Sequence, residues 1–154
     1  MEPRGVHESE TTLAQVMMPS DANSQGNVHG GTIMKLVDTA GGIAAIRHAR
    51  HRVVTVIMDS MTFLEPVYVG DLVTIHARLT WTGRTSMEAE VRVDAENVAS
   101  GVVTHTSTAY LVYVALGDDD KPCPVPPLNL TTGDERARWQ QALTRQEHRL
   151  AARQ

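Results

Sequence analysis

The 154-residue chain has one cysteine, Cys123, so an intrachain disulfide is impossible. Cys123 stands between prolines in an expected loop, with no His or Cys at metal-ligand spacing nearby, which argues against a secreted disulfide scaffold. No apolar run is long enough to span a bilayer. Met1 to Glu10 carry acids and no apolar core, so no signal peptide is expected and the cytoplasm is the default compartment. Excess positive charge is also missing. A formal net charge of -4 removes the general electrostatic case for nucleic acid or an anionic membrane, leaving only local basic patches for phosphate groups. There is no G-x-S-x-G elbow, no P-loop and no pair of histidines at zinc spacing beside an acid, so no metal site is expected. Internal repeats and low-complexity tracts are absent.

What remains is an ordinary globular composition, 42% hydrophobic and 21% charged, in a length that suits one domain. Residues 1–9 read as a disordered N-terminus, 10–128 as the folded domain, and 129–154 as a linker with a C-terminal helix. Thr11 to Met18 could open the domain as a strand. Pro19 to Asn27 is rich in turn formers and reads as a loop. Thr32 to Ala49 has Ile33, Leu36, Val37, Ala40, Ile43 and Ala44 at helical spacing, giving one broad apolar face. From Val53 the period changes to two. Val73, Ile75, Ala77, Leu79 and Trp81 alternate with polar residues, as do Met87, Ala89, Val91 and Val93 after a turn at Gly83. These two runs predict an antiparallel pair with one buried and one wet face. Val102 to Leu116 predicts a further long strand. Gly117 to Leu130, rich in acids and proline, reads as an extended linker. Thr132 and Glu135, at capping-box spacing, open a polar helix to about Ala152, with a thin stripe of Trp139, Leu143 and Leu150. One long helix followed by an antiparallel sheet is an α+β pattern, and the two layers must pack face to face.

Few residues offer chemistry. His29-Gly30-Gly31 opens the first helix, where unpaired amides and two glycines suit a phosphate or a developing oxyanion. On the motif alone a flexible turn is the preferred reading. Asp38 lies roughly opposite the apolar face, and its helical neighbours are Met34, Gly41, Gly42 and Ala45. Small residues around a lone carboxylate invite another backbone or a ligand and imply a partner subunit, although a plain surface Asp carries the same letters. Asn23, in the loop before the glycines, has the residue type of an ordinary turn. His29 could be a general base, but it is one of seven histidines. His76 and His105 fall on strands, and His48 with His51 reads as a solvated helix end. Gly83-Arg84-Thr85-Ser86 could hold a phosphate, with a hairpin turn preferred. The arginines of the tail (Arg136, Arg138, Arg145, Arg149, Arg153) are balanced by acids and read as a solvated helix.

Three stretches carry a resemblance. MMPSDANSQGNVHGGTIMKLVDTAGGIAA resembles the opening of acyl-CoA hydrolases of the hotdog-fold thioesterase superfamily. VVTVIMDSMTFLEPVYVGDLV resembles the family's next strands, and TAYLVYVALGDDDKPCPVPPL its final strand and exit. The resemblance covers roughly residues 11 to 128. PVYVGD alone is unspecific, whereas the ordered set of loop Asn, HGG, mid-helix Asp and MTFLEPV is much more specific. The resemblance implies a hotdog fold, in which a five- to six-stranded antiparallel sheet wraps a long central helix, here with an extra C-terminal helix. It implies hydrolysis of acyl-CoA without a cofactor, coenzyme A being part of the substrate. It assigns catalysis to Asp38 and Asn23 from opposite subunits, with His29, Gly30 and Gly31 around the thioester oxygen. Arg84, Thr85 and Ser86 stand as candidates for coenzyme A contact. It further implies self-association as a dimer and then a trimer of dimers. Two other readings stay open: an acyl-thioester dehydratase using His29, and a non-catalytic acyl-CoA-binding module.

Overall fold

The computed structural model describes residues 1–59 and 61–153. The chain runs β1 (Arg4–Gly5), β2 (Thr11–Val16), α1 (Gly30–Ala49), β3 (Arg52–Met58), β4 (Leu72–Thr82), β5 (Ser86–Asn97), β6 (Val102–Leu116), β7 (Leu128–Asn129) and α2 (Gly133–Ala152). Strands β2 to β6 form one antiparallel sheet in the order β2-β4-β5-β6-β3, while β1 and β7 pair in parallel as a separate two-stranded piece. This is the α+β hotdog arrangement expected from the alternating runs, with five strands in the main sheet.

The period-two pattern decides which face is which. Val73, Ile75, Ala77 and Leu79 of β4, Met87, Ala89, Val91 and Val93 of β5, and Ala109, Leu111, Tyr113 and Ala115 of β6 are all buried in one core. Helix α1 lies over that face, touching β2, β3, β4, β5 and β6, and buries Ile33, Val37, Ala40, Ala44 and Ala45 against it. At about 25 cal/mol per Å2 of buried apolar surface, this shared core dominates the stability. Helix α1 ends at Arg50, which adopts a left-handed conformation (φ 58) and returns its amide to the Ile46 carbonyl.

Several sequence expectations change. Residues 1–9, expected as disordered, contain a strand and a short 3-10 turn. Arg4 and Gly5 pair with Leu128 and Asn129, and Val6 is buried. The cause is long-range pairing with the proline-rich exit, which no local pattern reports. His48, expected as solvated, is 1% exposed, and its Nε2 lies 2.7 Å from the Pro126 carbonyl oxygen. The same exit segment covers it.

Helix α2 is capped by the Thr132 hydroxyl, which accepts the Glu135 amide as its spacing predicts. Three of its arginines, however, are not simply solvated. Arg138, Arg145 and Arg149 face the outer side of the sheet, where β5 and β6 present Glu88, Glu90 and Tyr110, while Arg136 and Arg153 are exposed as expected. Arg138 binds Glu90, Arg145 and Arg149 bind Glu88, and Arg145 stacks 3.6 Å over the Tyr110 ring. Trp139 packs at 6.2 Å from Trp81, and Ala142 is fully buried, whereas Leu150 is exposed and drops out of the expected stripe. Among the described residues, no helix is long and apolar enough to cross a membrane.

Candidate active site

The Pro19–Asn27 loop and the start of α1 form one wall of a pocket of about 370 Å3, lined by Asn23, Gly30, Ile33, Phe63, Leu64 and Val67 among others. Asn23 Oδ1 accepts the amides of Gln25 (2.9 Å) and Asn27 (3.3 Å), which closes the loop as an Asx turn. Its side-chain carbonyl oxygen is therefore used locally, and its side-chain NH2 has no hydrogen-bond partner among the described residues. The ring of Phe63 covers Gly30 at ordinary van der Waals distance from where a Cβ would sit.

His29 is the N-cap of α1. Its Nδ1 accepts the Gly31 amide at 3.3 Å, and its carbonyl oxygen accepts Thr32. Of the two glycine amides expected to hold an oxyanion, Gly31 thus points back at the histidine. The Gly30 amide has no hydrogen-bond partner among the described residues. It sits at a helix N-terminus, whose dipole favours negative charge. His29 spends one ring nitrogen on capping the helix.

Asp38 is half-buried on α1, one face round from the core stripe. Its Oδ1 accepts the Thr55 hydroxyl of β3 at 2.8 Å and the Tyr113 hydroxyl of β6 at 3.0 Å. The small residues around Asp38 have a use within the chain, because the Tyr113 ring fills the space above Gly41. Tyr113 is 1% exposed. Its phenol is pushed far above the ordinary range, chiefly by burial and then by the Asp38 charge and hydrogen bond, so it stays a neutral donor. Thr55 and Tyr113 were not singled out by sequence reasoning. Thr55 is one polar residue in an apolar strand, and that interruption is the only local signal it gives.

Asn23 and Asp38 share no hydrogen bond, and Asp38 does not line the Asn23 pocket. Gly30 and Asp38 are eight residues apart on one helix, about 12 Å along its axis. No reacting atom can touch both within a single chain. Strand β3, which carries Thr55, is an unpaired edge of the sheet, with Val54 and Val56 exposed.

The Gly83–Ser86 segment is the tight turn between β4 and β5, closed by the Gly83 amide on the Ser86 carbonyl oxygen. Arg84 is exposed, Thr85 and Ser86 are half-buried, and none of the three lines the Asn23 pocket. Among the described residues, no cluster of His, Cys, Asp or Glu could hold a metal ion.

The profile of the thioesterase superfamily matches residues 25–102. The chain is 38% identical over 155 residues to a cytosolic acyl coenzyme A thioester hydrolase of Rattus norvegicus, covering 99% of this chain and 41% of that protein. The chain therefore spans well under half the length of this relative. A solved structure of an apo-hexameric acyl-CoA thioesterase superposes with a TM-score of 0.94 at 34% identity, covering 99% of this chain and 97% of the other. An acyl-CoA hydrolase from Staphylococcus aureus, solved with butyryl coenzyme A and coenzyme A, gives a TM-score of 0.90 at 32% identity, covering 97% of this chain and 92% of the other. That enzyme has also been solved with an aspartate, a threonine or an asparagine replaced by alanine. The chain belongs to the thioesterase superfamily, among its hotdog-fold acyl-CoA hydrolases.

Proposed function

We propose that this protein hydrolyses acyl-CoA thioesters to a free fatty acid and coenzyme A. Asp38 acts as general base or nucleophile, and Asn23 positions the water or polarises the carbonyl. The observation that carries the reading is the anchored carboxylate of Asp38, tied at Oδ1 by Thr55 and Tyr113. The asparagine, aspartate and threonine replaced in the Staphylococcus aureus enzyme are spaced along its chain as Asn23, Asp38 and Thr55 are here.

The chemistry needs no cofactor. A thioester releases a thiolate whose conjugate acid has a pKa of about 8.5 if it behaves like cysteine. That group leaves with little protonation, so one carboxylate and an oxyanion site can suffice without a histidine relay. The Gly30 amide is the donor best placed for the oxyanion, with His29 and Gly31 shaping the turn. Arg84, Thr85 and Ser86 remain candidates for coenzyme A contact.

The active unit is a dimer, and the dimers assemble into a hexamer as a trimer of dimers. Pairing two copies of β3 across a two-fold axis would cover the exposed valines. It would also bring Asp38 of one chain towards the Asn23 and Gly30 pocket of its partner. The named hexameric state of the structural relative supports the larger assembly. The cytoplasm is the proposed compartment, in line with the cytosolic relative.

Thiol release from short- to long-chain acyl-CoA tests this directly. Turnover is expected for the intact protein and is lost in Asp38→Ala, by about 100- to 10,000-fold for a general base. No turnover across the panel would overturn the hydrolase reading. Full activity in Asp38→Ala would overturn the site assignment alone.

A further inference from the structure

Tyr113 is among the largest fully buried side chains in the protein, yet it ends in a hydroxyl. Phenylalanine would fill nearly the same space with no polar atom to satisfy. A buried hydroxyl must find a partner, and here the partner is Asp38. The hydroxyl lies 3.0 Å from Asp38 Oδ1 and 3.1 Å from the Asp38 carbonyl oxygen.

The helix is adapted to admit it. A Cβ on residue 41 would stand 2.5 Å from the Tyr113 hydroxyl oxygen and 3.2 Å from Cζ, too close for any side chain. Gly41 sits inside α1, where glycine lowers helix stability relative to alanine. The fold carries that cost where the hydroxyl arrives, one turn from Asp38.

Thr55 donates to the same oxygen at 2.8 Å. Two donors from two strands converge on Oδ1, and Oδ2 has no hydrogen-bond partner among the described residues. A carboxylate held by one oxygen from two directions cannot swing, so its other oxygen points one way.

We propose that Tyr113 is a positioning residue: together with Thr55 it occupies Oδ1 of Asp38 and aims Oδ2 at the reacting water or thioester. This rests on Asp38 being the catalytic carboxylate. Tyr113 forms no bond to substrate. It acts by fixing the direction of attack, which raises kcat and leaves ground-state binding alone.

The test is Tyr113→Phe in the full-length protein, assayed by thiol release. We expect kcat to fall about tenfold or more, the usual worth of a hydrogen bond to a charged group. KM for acyl-CoA should hold, while the melting temperature falls modestly because one buried hydrogen bond is lost. A merely structural role would lower the melting temperature in the same way but would scatter the loss between kcat and KM. The decisive readout is coupling. In an Asp38→Asn background, adding Tyr113→Phe should cost nothing further. Gly41→Ala, whose methyl displaces the hydroxyl, supplies a second route: it should lower kcat by a similar factor, and adding Tyr113→Phe to it should cost little more. Unchanged kcat in Tyr113→Phe, or the same loss in the Asp38→Asn background, overturns the positioning role while leaving the Asp38 assignment intact. Full activity in Asp38→Asn alone overturns that assignment, and this proposal with it.

Discussion

Arg149 of α2 reaches the outer face of the sheet and binds Glu88 of β5 at 2.7 Å, and the Glu88 side chain is fully buried. Arg145 grips the same carboxylate, donating from Nε to Oε2 (3.0 Å) and from an Nη to Oε1 (2.7 Å), and the Thr80 hydroxyl also donates to it. Arg149 extends to Asp59, which directly follows β3. The C-terminal helix is therefore bolted to the sheet through a buried charge rather than through a broad apolar stripe.

Removing one partner of a buried ion pair leaves the other uncompensated. Arg149→Met should lower the unfolding free energy by about 2–3 kcal/mol, somewhat below the usual cost because Arg145 and Thr80 stay on Glu88. Urea unfolding read by circular dichroism checks this. An unchanged midpoint would mean that α2 docks without the network.

His48 gives stability a pH dependence. Burial is the main cause that lowers its pKa from the ordinary 6.5, reinforced by Arg4, while the hydrogen bond to Pro126 and the charge of Glu8 oppose it. The unfolded chain therefore takes up a proton before the folded one does. The stability contribution is full above about pH 6.5 and is lost as pH falls through the folded value. Thermal melts from pH 7.5 downwards should show a slope that is shallower in His48→Gln. Parallel slopes in the two proteins would contradict the assignment.

Much of this molecule can be read from the letters. Helix α1 and strands β4 and β5 announce themselves through periods of 3.6 and two, and Thr132 caps α2 as its spacing implies. What is not legible depends on distant partners. Tyr113 meets Asp38 across 75 residues, and Arg149 meets Glu88 across 61. Glu88 looks like one of a row of wet-face acids because nothing in β5 says that α2 will cover it. His48 reads as a helix end until the Pro126 carbonyl arrives from 78 residues away. Asp38 stood out through Gly41 and Gly42, but Gly41 makes room for Tyr113 of the same chain, a use the sequence did not reveal.

Asn23 tests the pocket without disturbing the loop. Asn23→Asp keeps the oxygen that accepts the Gln25 and Asn27 amides and replaces the NH2 donor by an acceptor. Folding should be preserved, while kcat falls about 100- to 1,000-fold if the NH2 stabilises the developing oxyanion. Steady-state kinetics beside a circular dichroism spectrum separate the two effects. A fully active Asn23→Asp would remove the side chain from the mechanism.

Strand β3 offers a test of assembly. Val54 is 41% exposed on an unpaired edge and does not belong to the core. Val54→Lys should leave the single chain folded and block edge-to-edge pairing. Light scattering should then report a smaller particle, and thiol release should drop with it. An assembly of unchanged mass would move the interface elsewhere.

Complementation probes the central claim most directly. Asp38→Asn and Asn23→Asp are each expected to keep no more than about a hundredth of the wild-type rate alone. If one site draws Asp38 from one chain and Asn23 from its partner, a mixed dimer holds one site with both residues intact. Co-refolding equal amounts of the two variants should then restore about a quarter of the wild-type thiol-release rate, as random pairing of two chains requires. A mixture no more active than the separate variants would contradict a site shared between two chains.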